Sequence, residues 1–149
     1  MNLKDWREPI PTFYKIDKER RYVLTTGTGL VTKEEVLTVQ DQMSNDPEFD
    51  PGLSQVADFS GLTDTDVTLA DVQMFARRDS FSIHSRRAII VTGDVAFGFA
   101  KVFELCRQLC GASRIRVFRD ADEAFDWIVS ANAASASRQT KSTAAESSP

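Results

Sequence analysis

One histidine (His84), two cysteines (Cys106 and Cys110) and three close aspartates (Asp64, Asp66 and Asp71) are the residues of this 149-residue chain best suited to do chemistry. An imidazole acting as general base needs a nucleophile and an orienting carboxylate beside it. Ser80, Ser82 and Ser85 are near His84 in sequence, but without a nucleophile-elbow pattern. Cys106 and Cys110 fall one helical turn apart, which separates their Cβ atoms by about 5–6 Å, beyond the ~3.8 Å of an unstrained disulfide. With one histidine the chain falls short of a zinc ligand set, so the thiols are expected to pack as small buried hydrophobes. The aspartates lack the bidentate glutamate of a calcium loop and are expected to be solvated loop acids. No residue set supports acid–base, nucleophilic or metal catalysis, and the expectation is a non-catalytic protein without a cofactor.

Two further stretches could bind rather than react. Arg77, Arg78, Arg86 and Arg87 flank the Ser80–Ser85 connector, a basic patch suited to phosphate or an acidic partner surface. Gly93-Asp94-Val95-Ala96-Phe97-Gly98-Phe99 opens a predicted helix, where Gly98 costs about 1 kcal/mol relative to Ala. Gly98 is expected to let the helix pack closely; the competing use is space for a ligand at the helix N-terminus, where free N–H groups favour anions. Phe97 falls off the inner stripe, facing a pocket or a partner or covering the neighbouring loop. Trp127 is off its stripe too, placed to cap the sheet edge or line an interface.

The elements that position these residues follow from periodicity. Residues 9–26 predict a hairpin around Asp17-Lys18-Glu19-Arg20. The glycines of Thr25-Thr26-Gly27-Thr28-Gly29 suggest a bulge or a crowded backbone and match neither phosphate-loop nor dinucleotide spacing. Thr32-Lys33-Glu34-Glu35 is a capping box, followed by Val36, Val39, Gln40 and Met43 at helical spacing. Leu53–Phe59 predicts a strand, residues 63–67 a polar loop, and Thr68 the start of a second helix with Leu69, Val72, Phe75 and Ala76 inward. Residues 87–91, Arg-Ala-Ile-Ile-Val, suit a strand buried on both faces. A third helix over 95–110 carries Val95, Phe99, Val102, Phe103, Cys106, Leu109 and Cys110 on one broad face. Residues 115–118 form the last strand, and Ala121, Ala124, Phe125 and Ile128 the inner stripe of the last helix. From 131 to 149 the chain is rich in Ala and Ser without a period, expected to be a disordered tail. A hairpin followed by alternating helices and strands argues an α/β sheet, parallel after the hairpin. Ligands of such sheets sit beyond the carboxyl ends of the strands, here 58–68, 92–97 and 119–122.

The length suits one domain over 1–130, able to bury a core without staples. The net charge of -4 is mild and of the wrong sign for a nucleic-acid binder. It hides a polarised chain: ten acids and no Lys or Arg from Glu34 to Ala76, then nine basic residues against Asp79, Asp94 and Glu104 from Arg77 to Arg119. No apolar run is long enough to span a membrane. The first residues lack a secretory apolar stretch, and two cysteines fit a reducing, cytoplasmic setting.

Three blocks, "DPGLSQVADFSGL" (Asp50–Leu62), "RRAIIVTGDVAFGFAKVFEL" (Arg86–Leu105) and "VFRDADEAFDWI" (Val117–Ile128), resemble the bacterial SpoIIAA-like family of small proteins, also described as STAS/SEC14-domain-containing. The resemblance spans about residues 12–130. It implies a STAS-like fold, a mixed four- or five-stranded sheet with about four helices mainly on one side, and no established enzyme activity. Better-known STAS domains antagonise anti-sigma factors or regulate anion transporters. In the antagonists an Asp-Leu-Ser-like turn precedes an Asp-Ser-Ser-Gly whose second serine is phosphorylated. Asp58-Phe59-Ser60-Gly61 matches the turn, and Asp66-Val67-Thr68-Leu69 falls on the phosphosite with Thr68 at the acceptor position; the first Ser and the Gly are absent. Asp64, Asp66 and Asp71 would repel phosphate there, so Thr68 is expected to serve as an N-cap.

The expected function is thus a regulatory or protein-binding module, with Asp58, Ser60, Asp66, Thr68, Gly93, Asp94, Phe97 and Gly98 as candidate binding residues. Two alternatives stand beside it: a carrier of a small apolar or lipid-like ligand in a pocket bordered by Phe97, Phe99 and Phe103, and a phosphorylation switch at Thr68. A homodimer through an apolar helix face or sheet edge is a further partner option.

Overall fold

The computed structural model describes the backbone over residues 12–146 and side chains over 12–134. Among the described residues there are five strands and four helices. Strands β1 (Thr12–Asp17) and β2 (Tyr22–Val31) form the predicted antiparallel hairpin, with Asp17 opposite Tyr22. Its turn places Arg21 at φ 61°, a left-handed conformation that favours glycine. Then come α1 (Lys33–Ser44), β3 (Ser54–Thr65), α2 (Leu69–Arg78), β4 (Arg87–Ile90), α3 (Asp94–Leu109), β5 (Ile115–Phe118) and α4 (Ala121–Glu146).

The strands lie in sequence order, and β2 through β5 are parallel. That order decides where the helices go. Each crossover steps one strand in the same direction, so right-handed connections put α1, α2 and α3 on one face. The other face is left to α4. Strand alternation supplies both faces with apolar side chains. Tyr22, Val56, Ala88, Ile90 and Phe118 meet Ala124 and Ile128 of α4. Ala57, Ile89, Val91 and Ile115 meet Ala100 of α3. Below the hairpin, Val23, Met43, Leu53 and Phe81 close a third cluster.

Three local expectations are corrected. First, residues 63–65 are strand, not loop: β2 and β3 run on together to Val31 and Thr65, with register shifts at Thr26/Thr28 and Gly29/Leu30. The bulges absorb the glycines.

Second, α3 turns a different face inward. It buries Ala100, Glu104 and Arg107, leaving Val95 75% and Leu109 79% exposed. Cys106 is half-buried and Cys110 exposed, so the thiols are not the buried pair expected. The Arg107 guanidinium donates to the carbonyls of Ala76 and Phe81, both at 3.2 Å, and these long-range partners outweigh the apolar stripe. Third, Leu69, expected inward on α2, is exposed.

Helix α4 carries the backbone past residue 130. Asn132 Nδ2 donates to the carbonyls of Arg20 and Arg21, and its Oδ1 accepts from Ser54 Oγ at 2.9 Å. The backbone stays helical to Glu146, where the sequence predicts a disordered tail. Alanine is the best helix former, and an Ala-rich segment continuing an anchored helix needs no new nucleus.

Candidate functional site

Helix α2 rests on α3 rather than on the sheet. Polar ties hold it there. At its N-terminal end, Thr65 Oγ1 donates to the Val31 carbonyl at 2.6 Å and Asp66 Oδ1 accepts from Lys33 N at 2.8 Å. At its C-terminal end, the Asp79 carboxylate pairs with Arg87 and Arg107. The space beneath α2 is a cavity of about 610 Å³, inside the range of about 300–1,000 Å³ common for small-molecule sites. Its floor is the sheet around Ala57 and Ile89; its walls include Val36 and Val39 of α1, Val72 and Phe75 of α2, and Phe99 and Phe103 of α3.

The mouth lies at the carboxyl ends of the parallel strands, as expected for such a sheet. It is framed by Leu62–Thr65 at the end of β3, by Val67 beyond it, and by Gly93–Ala96 after β4. Just before these segments, Thr92 Oγ1 donates to the Ser60 carbonyl at 3.2 Å.

The opposite end is polar and closed. Arg87 opens β4 beside Gln55 of β3 in the register of the sheet. Its Nε and Nη2 donate to Gln55 Oε1 at 3.0 and 2.8 Å, and its Nη1 and Nη2 grip both oxygens of Asp79. Gln55 Nε2 donates in turn to Thr25 Oγ1 at 3.0 Å. Arg107 Nε lies 3.2 Å from Asp79 Oδ2, close enough for ion pairing but poorly aligned for a hydrogen bond. The Arg87 guanidinium also lies 4.5 Å from the Phe81 ring centre. Burial pushes Arg87 down from its ordinary value; Asp79 opposes this, and the Arg107 charge adds to it. A guanidinium remains protonated at neutral pH regardless. On the cavity wall, Gln40 Nε2 donates to the Phe75 carbonyl while the buried Oε1 accepts no hydrogen bond.

The structure scatters the residues that the sequence groups. Arg87 is buried against the cavity, whereas Arg86 lies on the opposite face, its guanidinium 4.5 Å from the Trp127 ring centre. Arg77 and Arg78 are exposed on α2, and Arg78 pairs with Asp41 at 2.6 Å. These four arginines therefore do not form one basic patch, because neighbouring strand residues point to opposite faces. Gly98 is exposed, and a Cβ added there would meet nothing within 4 Å, so close packing does not explain it. Phe97 packs against the cluster of Ile89 and Val91 under the Arg119 guanidinium, outside the cavity lining. Trp127 caps the other face, tilted on Phe118 at 5.5 Å.

Gly93 and Asp94 sit at the mouth, and Asp94 pairs with Arg119 at 3.1 Å. Asp58 Oδ1 accepts from both N and Oγ of Ser60, a local turn inside β3. Thr68 caps α2: its Oγ1 accepts from Asp71 N at 3.2 Å while Asp71 Oδ2 accepts from Thr68 N at 2.9 Å. That backbone bond above all holds the Asp71 carboxyl below its usual range. His84 is exposed. Among the described residues no group of three or more His, Cys, Asp or Glu could hold a metal, and no helix is long and apolar enough to cross a membrane. Sequence patterns miss the polar end, Thr25, Gln55, Asp79 and Arg87 acting together. The one signal was a charged residue opening an otherwise apolar strand.

No protein-family model matches the sequence, and no curated protein matches it. The structure is similar to the crystal structure of an uncharacterised DUF3478-family protein with a SpoIIAA-like fold from Shewanella loihica PV-4. The TM-score is 0.50 at 17% identity, covering 78% of this chain and 91% of that one. Five strands in sequence order, an opening antiparallel hairpin and helices on both faces are thus the SpoIIAA-like fold in this chain.

Proposed function

We propose that this protein is a non-catalytic binding module that takes a small, mostly apolar ligand into the cavity beneath α2. The observation that carries this is a cavity of about 610 Å³ with an apolar body, an opening at the strand carboxyl ends and one cluster of polar groups at its closed end. Apolar walls supply affinity by removing ligand surface from water, and a few fixed polar groups supply orientation. Among the described residues the site brings together no nucleophile–base pair. Binding, in a cytoplasmic setting, is the role these groups can fill. Regulation of a partner protein fits the same reading, since the mouth segments that meet the ligand are also surface.

The experiment is a titration with the neutral dye Nile red, whose emission rises in apolar surroundings. Saturable binding to the full chain is expected. Ala100→Phe, which fills the cavity from the α3 wall, should abolish it while the protein still unfolds cooperatively. A folded protein that never brightens the dye, or an Ala100→Phe variant that binds as before, refutes the proposal.

The phosphorylation switch has less behind it. Thr68 Oγ1 is already the acceptor of the α2 cap, with the Asp71 carboxylate against the same residue's N–H.

A further inference from the structure

The closed end of the cavity carries more positive than negative charge. Arg87 and Arg107 place two guanidiniums on one carboxylate, and the three side chains are 5%, 8% and, for Asp79, 4% exposed. Neighbouring acids are matched elsewhere. Glu104 pairs with Lys101 at 2.6 Å. Glu35 accepts from Thr12 Oγ1 at 3.0 Å within the first turn of α1, where the helix N-terminus favours its charge.

The same end has donors to spare. Arg87 commits its Nε hydrogen, both Nη2 hydrogens and one on Nη1 to Gln55 and Asp79, which leaves an Nη1 hydrogen. Among the described residues, Thr25 Oγ1 accepts from Gln55 and gives its own hydrogen to no partner, and the Gln55 amide keeps its second. All three residues line the cavity. From Arg87 to Val91 the floor is then apolar apart from the backbone, over about 13 Å at the strand rise.

We infer that the ligand is an apolar monocarboxylate, its head against Arg87, Gln55 and Thr25 and its hydrocarbon tail running along the sheet toward Leu62 and Val67. A monoanion cancels the excess charge in a place water does not screen, and a carboxylate accepts from several donors at once. This inference rests on the cavity being a binding site, as proposed above.

Octanoate and octanol separate the two ideas, because they share a tail and differ in the head. In an uncharged apolar cavity the alcohol binds better, since the carboxylate must give up its hydration. Each is titrated against full-length protein loaded with Nile red at neutral pH, where the acid is ionised. Octanoate is expected to displace the dye at a concentration about tenfold lower than octanol, as charge-assisted hydrogen bonds allow. Thr25→Val, which keeps the shape and removes one donor, should narrow that ratio without unfolding the protein. Octanol matching or outdoing octanoate overturns the head-group inference while the cavity reading stands. A dye that never binds defeats the cavity reading itself.

Discussion

The ring of Phe59 lies on Gly27: a Cβ built on that glycine would stand 2.6 Å from both Cδ1 and Cε1 of the ring. Real Cβ atoms do not come so close, so the pairing explains a glycine in the middle of β2 where any side chain would push Phe59 aside. Phe59 also lines the cavity, so the glycine helps to set its shape. Gly27→Ala is expected to destabilise the protein by about 1–3 kcal/mol through overpacking. Adding Phe59→Leu should recover much of that loss, a non-additive pair in a double-mutant cycle read by urea unfolding.

Asp79→Ala should be far more costly than its position at a helix end suggests. It leaves Arg87 and Arg107 buried without their carboxylate, a loss of about 3–5 kcal/mol. Arg78→Ala breaks the exposed pair with Asp41 and should cost about 0–1 kcal/mol. Urea midpoints of the two variants, at unchanged slope, make the comparison.

At the start of α2, Thr68→Ala removes the acceptor for Asp71 N and should cost about 1 kcal/mol, while Thr68→Ser keeps the cap. Thermal unfolding of the two variants side by side tests the role of the hydroxyl. Equal losses would mean that the cap bond contributes nothing.

Tyr14 and Asp46 give stability opposite pH limits. Tyr14 Oη donates to Asp46 Oδ2 at 2.7 Å. The backbone N–H of Glu48 and then the Tyr14 hydroxyl hold Asp46 below its ordinary value, and the bond to Asp46 raises Tyr14. Asp46 therefore contributes stability that is present above the ordinary carboxylate range and lost as pH falls through its lowered folded value. Tyr14 contributes stability that is present below about pH 10 and lost as pH rises through its raised folded value. Tyr14→Phe should remove the alkaline loss and move Asp46 part of the way up, since the Glu48 N–H remains. Carboxyl NMR titration of both proteins reads that shift.

Residues 12–134 show which features were local. Alternation and helical spacing were enough for the hairpin, the order of elements and the caps at Thr32 and Thr68, because each depends on neighbours within a turn or a strand. Alternating elements were also enough for a parallel sheet after the hairpin, because short right-handed crossovers leave few other topologies. Of the residues the sequence singled out, Gly93 and Asp94 fall at the mouth, Phe99 and Phe103 in the wall and Arg87 at the closed end, while Phe97 lies outside the lining. The size of the cavity and its polar end were not legible. They depend on α2 being tied at both ends and held off the sheet, and those ties join Thr65 to Val31 and Asp79 to Arg87 and Arg107 across the fold. The face α3 buries was decided the same way. An apolar stripe ranks Arg107 as a surface residue, yet two carbonyls and a carboxylate brought together by other elements draw it inward. A periodic pattern records how a segment divides water from interior on average, but a buried ion cluster is settled by partners that only the tertiary structure assembles.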